Sequence, residues 1–193
     1  MKIILICIFT YCLLVFGCSK SVTNNFDDYN KRRSNSMYHS YIAQQIMPNL
    51  DDLPEYEKIY YQYRNIIRIP FIFNSETMLL VVTYNNITYQ IEKEKINNLN
   101  YLEKAKYKTY EKEISYLLPE FEFQINSYNF RVLAESKDND FDYPHYIGII
   151  ATSNEKRSIS YLYFADQDLD YISKDNNEGE MIKFVKEYFK YEW

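Results

Sequence analysis

Glycine, cysteine and histidine are scarce in this chain of 193 residues, and each shortage excludes a class of site. With only three glycines, the chain has no glycine-rich loop that could cradle a phosphate. All three cysteines lie within the first 18 residues, so the remainder has no cysteine-based metal site, thiol nucleophile or internal disulfide. The two histidines, His39 and His145, have neither the spacing of a metal site nor that of a catalytic triad.

Clustered positive charge is also lacking. The formal net charge is −5, and the one basic run is Lys31-Arg32-Arg33. Binding to nucleic acid depends on clustered lysine and arginine, so we expect no nucleic-acid partner. The basic run is expected either to keep its segment soluble or to rest on anionic lipid headgroups.

Aromatic residues, in contrast, are abundant, with 22 tyrosines and 12 phenylalanines. One interpretation is an AT-rich coding sequence, which enriches tyrosine, asparagine, isoleucine, lysine and phenylalanine together. The other is a tyrosine-lined recognition surface, because tyrosine provides a large contact area at a small entropy cost.

The first 18 residues have the pattern of an export signal. Met1-Lys2 forms a short basic region, and Ile3 to Phe16 is a mainly apolar run of 14 residues. This run is shorter than the ~20 residues that a membrane-spanning helix needs. It ends in Val15-Phe16-Gly17-Cys18, which resembles the lipobox of bacterial lipoproteins: an aliphatic residue, a variable one and a small one before the modified cysteine.

The lipobox resemblance implies that residues 1–17 are removed and that Cys18 becomes the lipid-bearing first residue. By that implication its thiol takes a diacylglyceryl group and its new amino group can be acylated. The protein would then be held at the extracytoplasmic face of the cell membrane or the outer membrane, since several acyl chains give stable anchoring. An uncleaved anchor or a conventionally secreted protein is the alternative.

The chain after the signal is expected to form a tether and one domain. The tether comprises Cys18 and residues 19–36, which are polar and nearly free of core candidates; for these 18 residues we predict a disordered coil with a span of ~25 Å. Residues 37–193 are predicted to form a single α+β domain with a mostly antiparallel sheet, N-terminal helices and a C-terminal amphipathic helix packed on the sheet.

Periodicity predicts the elements of this domain. In its first half we expect helices over 37–47 and 54–63, strands over 67–73, 77–84 and 87–91, and mainly helix over 93–117. In its second half we expect strands over 121–125 and 128–132, joined at Asn126-Ser127, and over 146–152 and 158–164. A final helix from Glu178, capped by Asn177, carries an apolar stripe of Met181, Val185, Tyr188 or Phe189, and Trp193.

Two acidic clusters place a carboxylate at every second residue: Asp138, Asp140 and Asp142, then Asp166, Asp168 and Asp170. In an extended chain such carboxylates share one side, and in a loop they can supply oxygen ligands to Ca²⁺. Three interpretations stay open: a solvated strand edge, a calcium site, or an acidic interaction face for a basic protein partner.

The leading functional prediction is a lipid-anchored, non-enzymatic binding domain that needs no cofactor. One version is an immunity lipoprotein that neutralises an exported toxin. The alternative is an envelope enzyme acting on peptidoglycan or another glycan, with Glu120 or Glu122 and an aspartate of either cluster as acid and base. A third hypothesis, a lipid or lipoprotein carrier, requires a deep apolar cavity under the sheet.

Overall fold

The computed structural model describes residues 19–36, 40–69, 73–101, 106–107, 116–117, 120–133, 146–166 and 179–193. Its strands are β1 (Ser19–Thr23), β2 (Lys58–Ile69), β3 (Phe73–Thr83), β4 (Lys106–Tyr107), β5 (Tyr116–Leu117), β6 (Glu122–Ile125), β7 (Tyr128–Val132), β8 (Tyr146–Ser153) and β9 (Ser158–Asp166). Seven of them form one sheet in the order β1-β2-β3-β9-β8-β7-β6, and every neighbouring pair is antiparallel. Strands β4 and β5 pair separately.

Helices cover both faces of the sheet. They are α1 (Tyr29–Ser34), α2 (Ser40–Ile46), α3 (Asn86–Asn97) and α4 (Glu180–Tyr188), with short 3₁₀ turns at Phe26–Asp28 and Leu50–Asp52. Residues of α1, α2 and α3 pack in the apolar cluster on one face, and α4 packs in the cluster on the other. The predicted α+β class, with N-terminal helices and a C-terminal helix on a mostly antiparallel sheet, is confirmed.

Strand β3 is an inner strand of the sheet, between β2 and β9, and its residues from Ser75 to Val82 are all buried. Leu79 faces the α4 side and Leu80 the opposite side, because successive side chains of a strand point to opposite faces. The predicted apolar stripe of α4 and the following residues packs on the sheet as expected. The helix itself begins at Glu180 after Gly179, which has φ +82°, so Asn177 is not its cap and lies outside the described residues.

The hairpins of the second half match the sequence prediction. Strands β6 and β7 are joined at Asn126, whose φ is 51°, a left-handed conformation that asparagine tolerates better than most residues. Strands β8 and β9 likewise pair directly, with Ser153 opposite Ser158.

Three predictions of the first half are wrong. The segment predicted as a helix over 54–63 leads instead into β2, whose tyrosines alternate between the two covered faces. The strand predicted over 87–91 is the first part of α3, because the Asn85 side chain accepts a hydrogen bond from the Thr88 backbone N–H at 2.9 Å and caps a helix. Helix α3 ends at Asn97, so the prediction of mainly helix over 93–117 is wrong for the described residues 98–101, 106–107 and 116–117.

The disordered tether predicted for residues 19–36 is wrong as well. Strand β1 pairs with β2 from the first described residue, with Ser19 opposite Ile67. Tyr29 is fully buried, and its hydroxyl donates a hydrogen bond of 2.6 Å to the Pro48 carbonyl oxygen. A polar segment becomes ordered here because the edge of β2 pairs with its backbone and one tyrosine anchors it in the core.

The basic run has a structural role that its charge did not indicate. The Arg33 guanidinium donates hydrogen bonds to the carbonyl oxygens of Met47 and Gln44, at 2.6 and 2.9 Å. The Arg32 guanidinium carbon lies 4.5 Å from the centre of the Tyr63 ring. Both arginines thus fix α1 against neighbouring elements, which neither the solubility nor the headgroup interpretation had predicted.

Candidate binding cleft

A cleft of about 820 Å³ lies at the end of the sheet where β2 begins and β3 ends. The start of β9, the β8–β9 turn and the chain from α4 onward complete its walls. Its charged and aromatic lining consists mainly of Lys58, Lys156, Lys186, Lys190, Tyr60 and Tyr191. We call it the lysine–tyrosine cleft. Its volume lies within the range typical of small-molecule sites, roughly 300 to 1,000 Å³.

The aromatic wall of the cleft is packed in place. The rings of Tyr60 and Tyr191 lie 5.1 Å apart between centres, and the Tyr191 ring contacts that of Trp193 at 4.9 Å. Burial raises the pKa of Tyr60, and the neighbouring Tyr191 raises it further. The Tyr60 phenol therefore remains neutral, and it accepts a hydrogen bond of 2.9 Å from the Gln62 side-chain amide.

The charges of the cleft are unbalanced. Four lysines and one glutamate, Glu192, line it, a local net charge of +3 in a chain whose net charge is −5. Within the part of the chain that the structure describes, ion pairs involve Lys95, Arg157 and Lys183, and none involves Lys58, Lys186 or Lys190. Lys156 donates a hydrogen bond of 3.2 Å to the Glu192 carbonyl oxygen, and its ammonium lies 4.9 Å from the centre of the Tyr128 ring.

Sequence reasoning missed this site. The four lysines come from three separate stretches of chain, at 58, 156 and 186–190, and no local run of charge marks them. The only available signal was the pair Lys186 and Lys190, which lie four residues apart and so share one side of a helical segment.

A second, more apolar cavity of about 360 Å³ lies between α2, α3 and the sheet. Ile46, Leu133 and Ile150 line it, together with Lys95 and Glu92. Its volume is near the lower end of the range for small-molecule sites. It is smaller than the deep apolar cavity that the carrier hypothesis requires.

A buried polar cluster lies under α1, on the face opposite α4. The Ser36 hydroxyl donates to one carboxylate oxygen of Glu76, and the Tyr63 hydroxyl donates to the other at 3.3 Å. Ser36 also shares a hydrogen bond of 2.8 Å with the Tyr163 hydroxyl. Glu76 is only 2% exposed, so this cluster holds the N-terminal segment on the sheet and is closed to a ligand.

The predicted acidic site residues are mostly not described. Asp138, Asp140, Asp142, Asp168 and Asp170 lie outside the described residues, as do His39, His145 and Cys18. Asp166 is described, at the end of β9, and it has no exposed surface. Its assignment to an exposed acidic interaction face is therefore wrong, because the sheet buries it opposite Ser75.

The glutamates proposed as acid and base differ in their surroundings. Glu120 accepts a hydrogen bond of 3.1 Å from the Gly179 backbone N–H, ahead of α4. Glu122 is exposed on the edge strand β6. Among the described residues no group of three histidine, cysteine, aspartate or glutamate side chains is placed to hold a metal ion.

Comparisons with family models, curated proteins and solved structures found no match to this chain. No helix within the described ranges has the length and apolar character needed to cross a bilayer.

Proposed function

We propose that this chain is a lipid-anchored lipoprotein of the cell envelope whose folded domain acts by binding a ligand. The anchoring part is supported by the lipobox pattern Val15-Phe16-Gly17-Cys18. Strand β1 begins at Ser19, so a lipid on Cys18 would join the bilayer to the edge of the sheet without an intervening tether.

The proposal that the folded domain binds a ligand is supported by the lysine–tyrosine cleft. Three of its lysines have no ion pair within the described chain, and a fixed aromatic wall stands beside them. Clefts lined by charge of one sign concentrate ligands of the opposite sign. Lysines without ion pairs beside packed aromatic rings suit recognition of an anionic ligand.

Envelope glycan hydrolysis has less support from the described carboxylates. A pair acting as acid and base has to face one cleft, ~5 to 9.5 Å apart. Glu120 is bound to the start of α4, Glu122 is exposed at a sheet edge, and Asp166 is buried. A basic protein partner, as proposed for the acidic clusters, would have to use the aspartates other than Asp166.

Fatty-acid labelling of cells tests the anchor. The full-length chain is expected to take up a labelled fatty acid and to lose residues 1–17, while Cys18→Ser is expected to remain unlabelled and uncleaved. Cys12→Ser is the matched control, since it removes a thiol from the signal and should leave the labelling unchanged. Label that persists in Cys18→Ser, or a wild type that is never labelled, would refute the lipoprotein assignment.

A further inference from the structure

The lysines of the lysine–tyrosine cleft hold positive charge that the described protein does not neutralise. Lys58 begins β2, while Lys186 lies in α4 and Lys190 just beyond it. Lysine ammonium groups bind phosphate as compact point charges. An anion with two negative charges would balance most of the local net charge of +3.

The rest of the lining suits a ligand that is larger than an inorganic ion. Tyr60 and Tyr191 present adjacent rings along one wall, and aromatic faces of this kind stack on rings and on the apolar faces of sugars. The hydroxyls of Thr83 and Ser158, 3.0 Å apart, lie on the lining as further hydrogen-bonding groups. A volume of about 820 Å³ exceeds what a phosphate ion alone would fill.

We infer that the lysine–tyrosine cleft is a binding site for a small phosphorylated ligand that carries a ring, such as a nucleotide or a sugar phosphate. The lysines hold the phosphate and the tyrosine wall holds the ring. This inference rests on the proposed function and specifies the class of ligand that the folded domain binds.

The topology favours a ligand free in solution over a phosphate of the anchoring bilayer. Ser19 pairs with Ile67, whereas the cleft lies at Lys58, nine residues along β2. At ~3.3 Å per residue these points are ~30 Å apart. A domain anchored at Cys18 therefore holds the cleft at the end of the sheet away from its lipid; this orientation rests on the proposed function.

Calorimetric titration of the full-length chain in neutral detergent tests the inference, with uridine monophosphate, inorganic phosphate and uridine as probes. Uridine monophosphate is expected to bind saturably, more tightly than phosphate, and uridine is expected not to bind. Removing two lysine contacts by Lys186→Gln with Lys190→Gln should weaken binding of uridine monophosphate at least ~10-fold, since it removes two of the charges that attract the phosphate. Added salt should weaken it as well.

The matched control is Lys95→Gln with Lys183→Gln, which removes the same charge from two lysines that already have ion pairs outside the cleft. It is expected to bind uridine monophosphate within ~2-fold of wild type, because the charges that it removes do not face the ligand. Equal weakening in both double variants, or no saturable binding of either phosphate probe, would overturn the inference.

Binding to vesicles of phosphatidylglycerol distinguishes a lipid headgroup from a soluble phosphate as the ligand of the cleft. Binding to vesicles that depends on Lys186 and Lys190, without binding of uridine monophosphate, would assign the cleft to a membrane and overturn the choice of a soluble ligand. Loss of fatty-acid labelling on Cys18 would remove the proposed anchor and leave the titration result intact. The two proposals can therefore fail separately.

Discussion

At the scale of single residues, Gly148 in β8 decides how closely α2 approaches the sheet. A Cβ atom at this position would lie 2.5 Å from Ile46 Cδ1 and 2.7 Å from Ile46 Cγ1. Such distances are well below van der Waals contact, so the isoleucine of α2 occupies the space that any other residue would need. An alanine at this position would require the Ile46 side chain to move.

We expect Gly148→Ala to lower the free energy of unfolding by ~1 to 3 kcal/mol, the usual cost of overpacking a core. Ile46→Val removes the Cδ1 atom and alone should cost ~0.5 to 1.5 kcal/mol. The double variant should be more stable than the sum of the two losses predicts, because the shorter valine side chain leaves more room for the added methyl group of alanine. Urea denaturation of the three variants measures this coupling, and strictly additive losses would contradict the proposed contact.

At the scale of elements, a buried arginine attaches α4 to the sheet. Arg64 in β2 is 3% exposed, and its guanidinium donates hydrogen bonds of 3.2 and 2.5 Å to the carbonyl oxygens of Glu187 and Tyr188. These carbonyls lie in the last turn of α4, where carbonyl oxygens commonly accept hydrogen bonds from groups outside the helix. The cation also lies at the negative end of the helix dipole.

Arg64→Met should therefore destabilise the protein by ~2 kcal/mol and speed hydrogen exchange in the last turn of α4. Arg157→Met is the matched control. Its ion pair with Glu57 has side chains 41% and 47% exposed, and loss of such a pair usually costs less than ~1 kcal/mol. Similar losses in the two variants, or unchanged exchange in α4, would show that Arg64 does not hold the helix.

Local turn chemistry made part of the fold predictable. Asn126-Ser127 lies between two clean alternations of apolar and polar residues, so both the turn and its strands were predictable. Asn85-Asn86 carries the same kind of signal but caps α3. Whether such a pair forms a hairpin turn or caps a helix depends on the residues that follow it. Here Tyr89 and Ile96 are buried seven positions apart, and Ile87 and Ile91 are exposed, which is the pattern of a helix.

Elements that depend on distant partners were not predictable. Strand β2 has helices over both faces and so lacks a simple alternation of apolar and polar side chains. Strand β1, Ser19–Thr23, is polar and becomes a strand only because β2 offers an unpaired edge. The lysine–tyrosine cleft is hidden for the same reason, since its lysines meet only after the sheet and α4 have assembled.

At the scale of the whole molecule, many of the 22 tyrosines are part of the core. Burial raises the pKa of Tyr63, Tyr89 and Tyr101 to about 12 each. Burial also raises the pKa values of Tyr29 and Tyr163. In an unfolded chain all of these phenols have a pKa of ~10. The folded state thus retains protons that the unfolded state loses in alkaline solution.

This difference in proton binding determines how the free energy of unfolding changes with pH. The stability contributed by these phenols is intact below pH ~10 and is lost as the pH rises from ~10 through ~12. We expect a cooperative rise in tyrosinate absorbance that coincides with loss of circular dichroism in this window. In concentrated urea the same absorbance should rise gradually around pH ~10. A gradual titration with the circular dichroism retained would contradict the assignment of these tyrosines to the core.

The position of β1 also bears on the timing of maturation. The bond that a signal peptidase would cut, between Gly17 and Cys18, is one residue away from a strand paired along its length with β2. A peptidase needs its substrate chain extended and accessible within its own active site. Under the proposed function, cleavage would therefore have to come before β1 pairs with β2, and the anchored protein would complete its sheet only after leaving the peptidase.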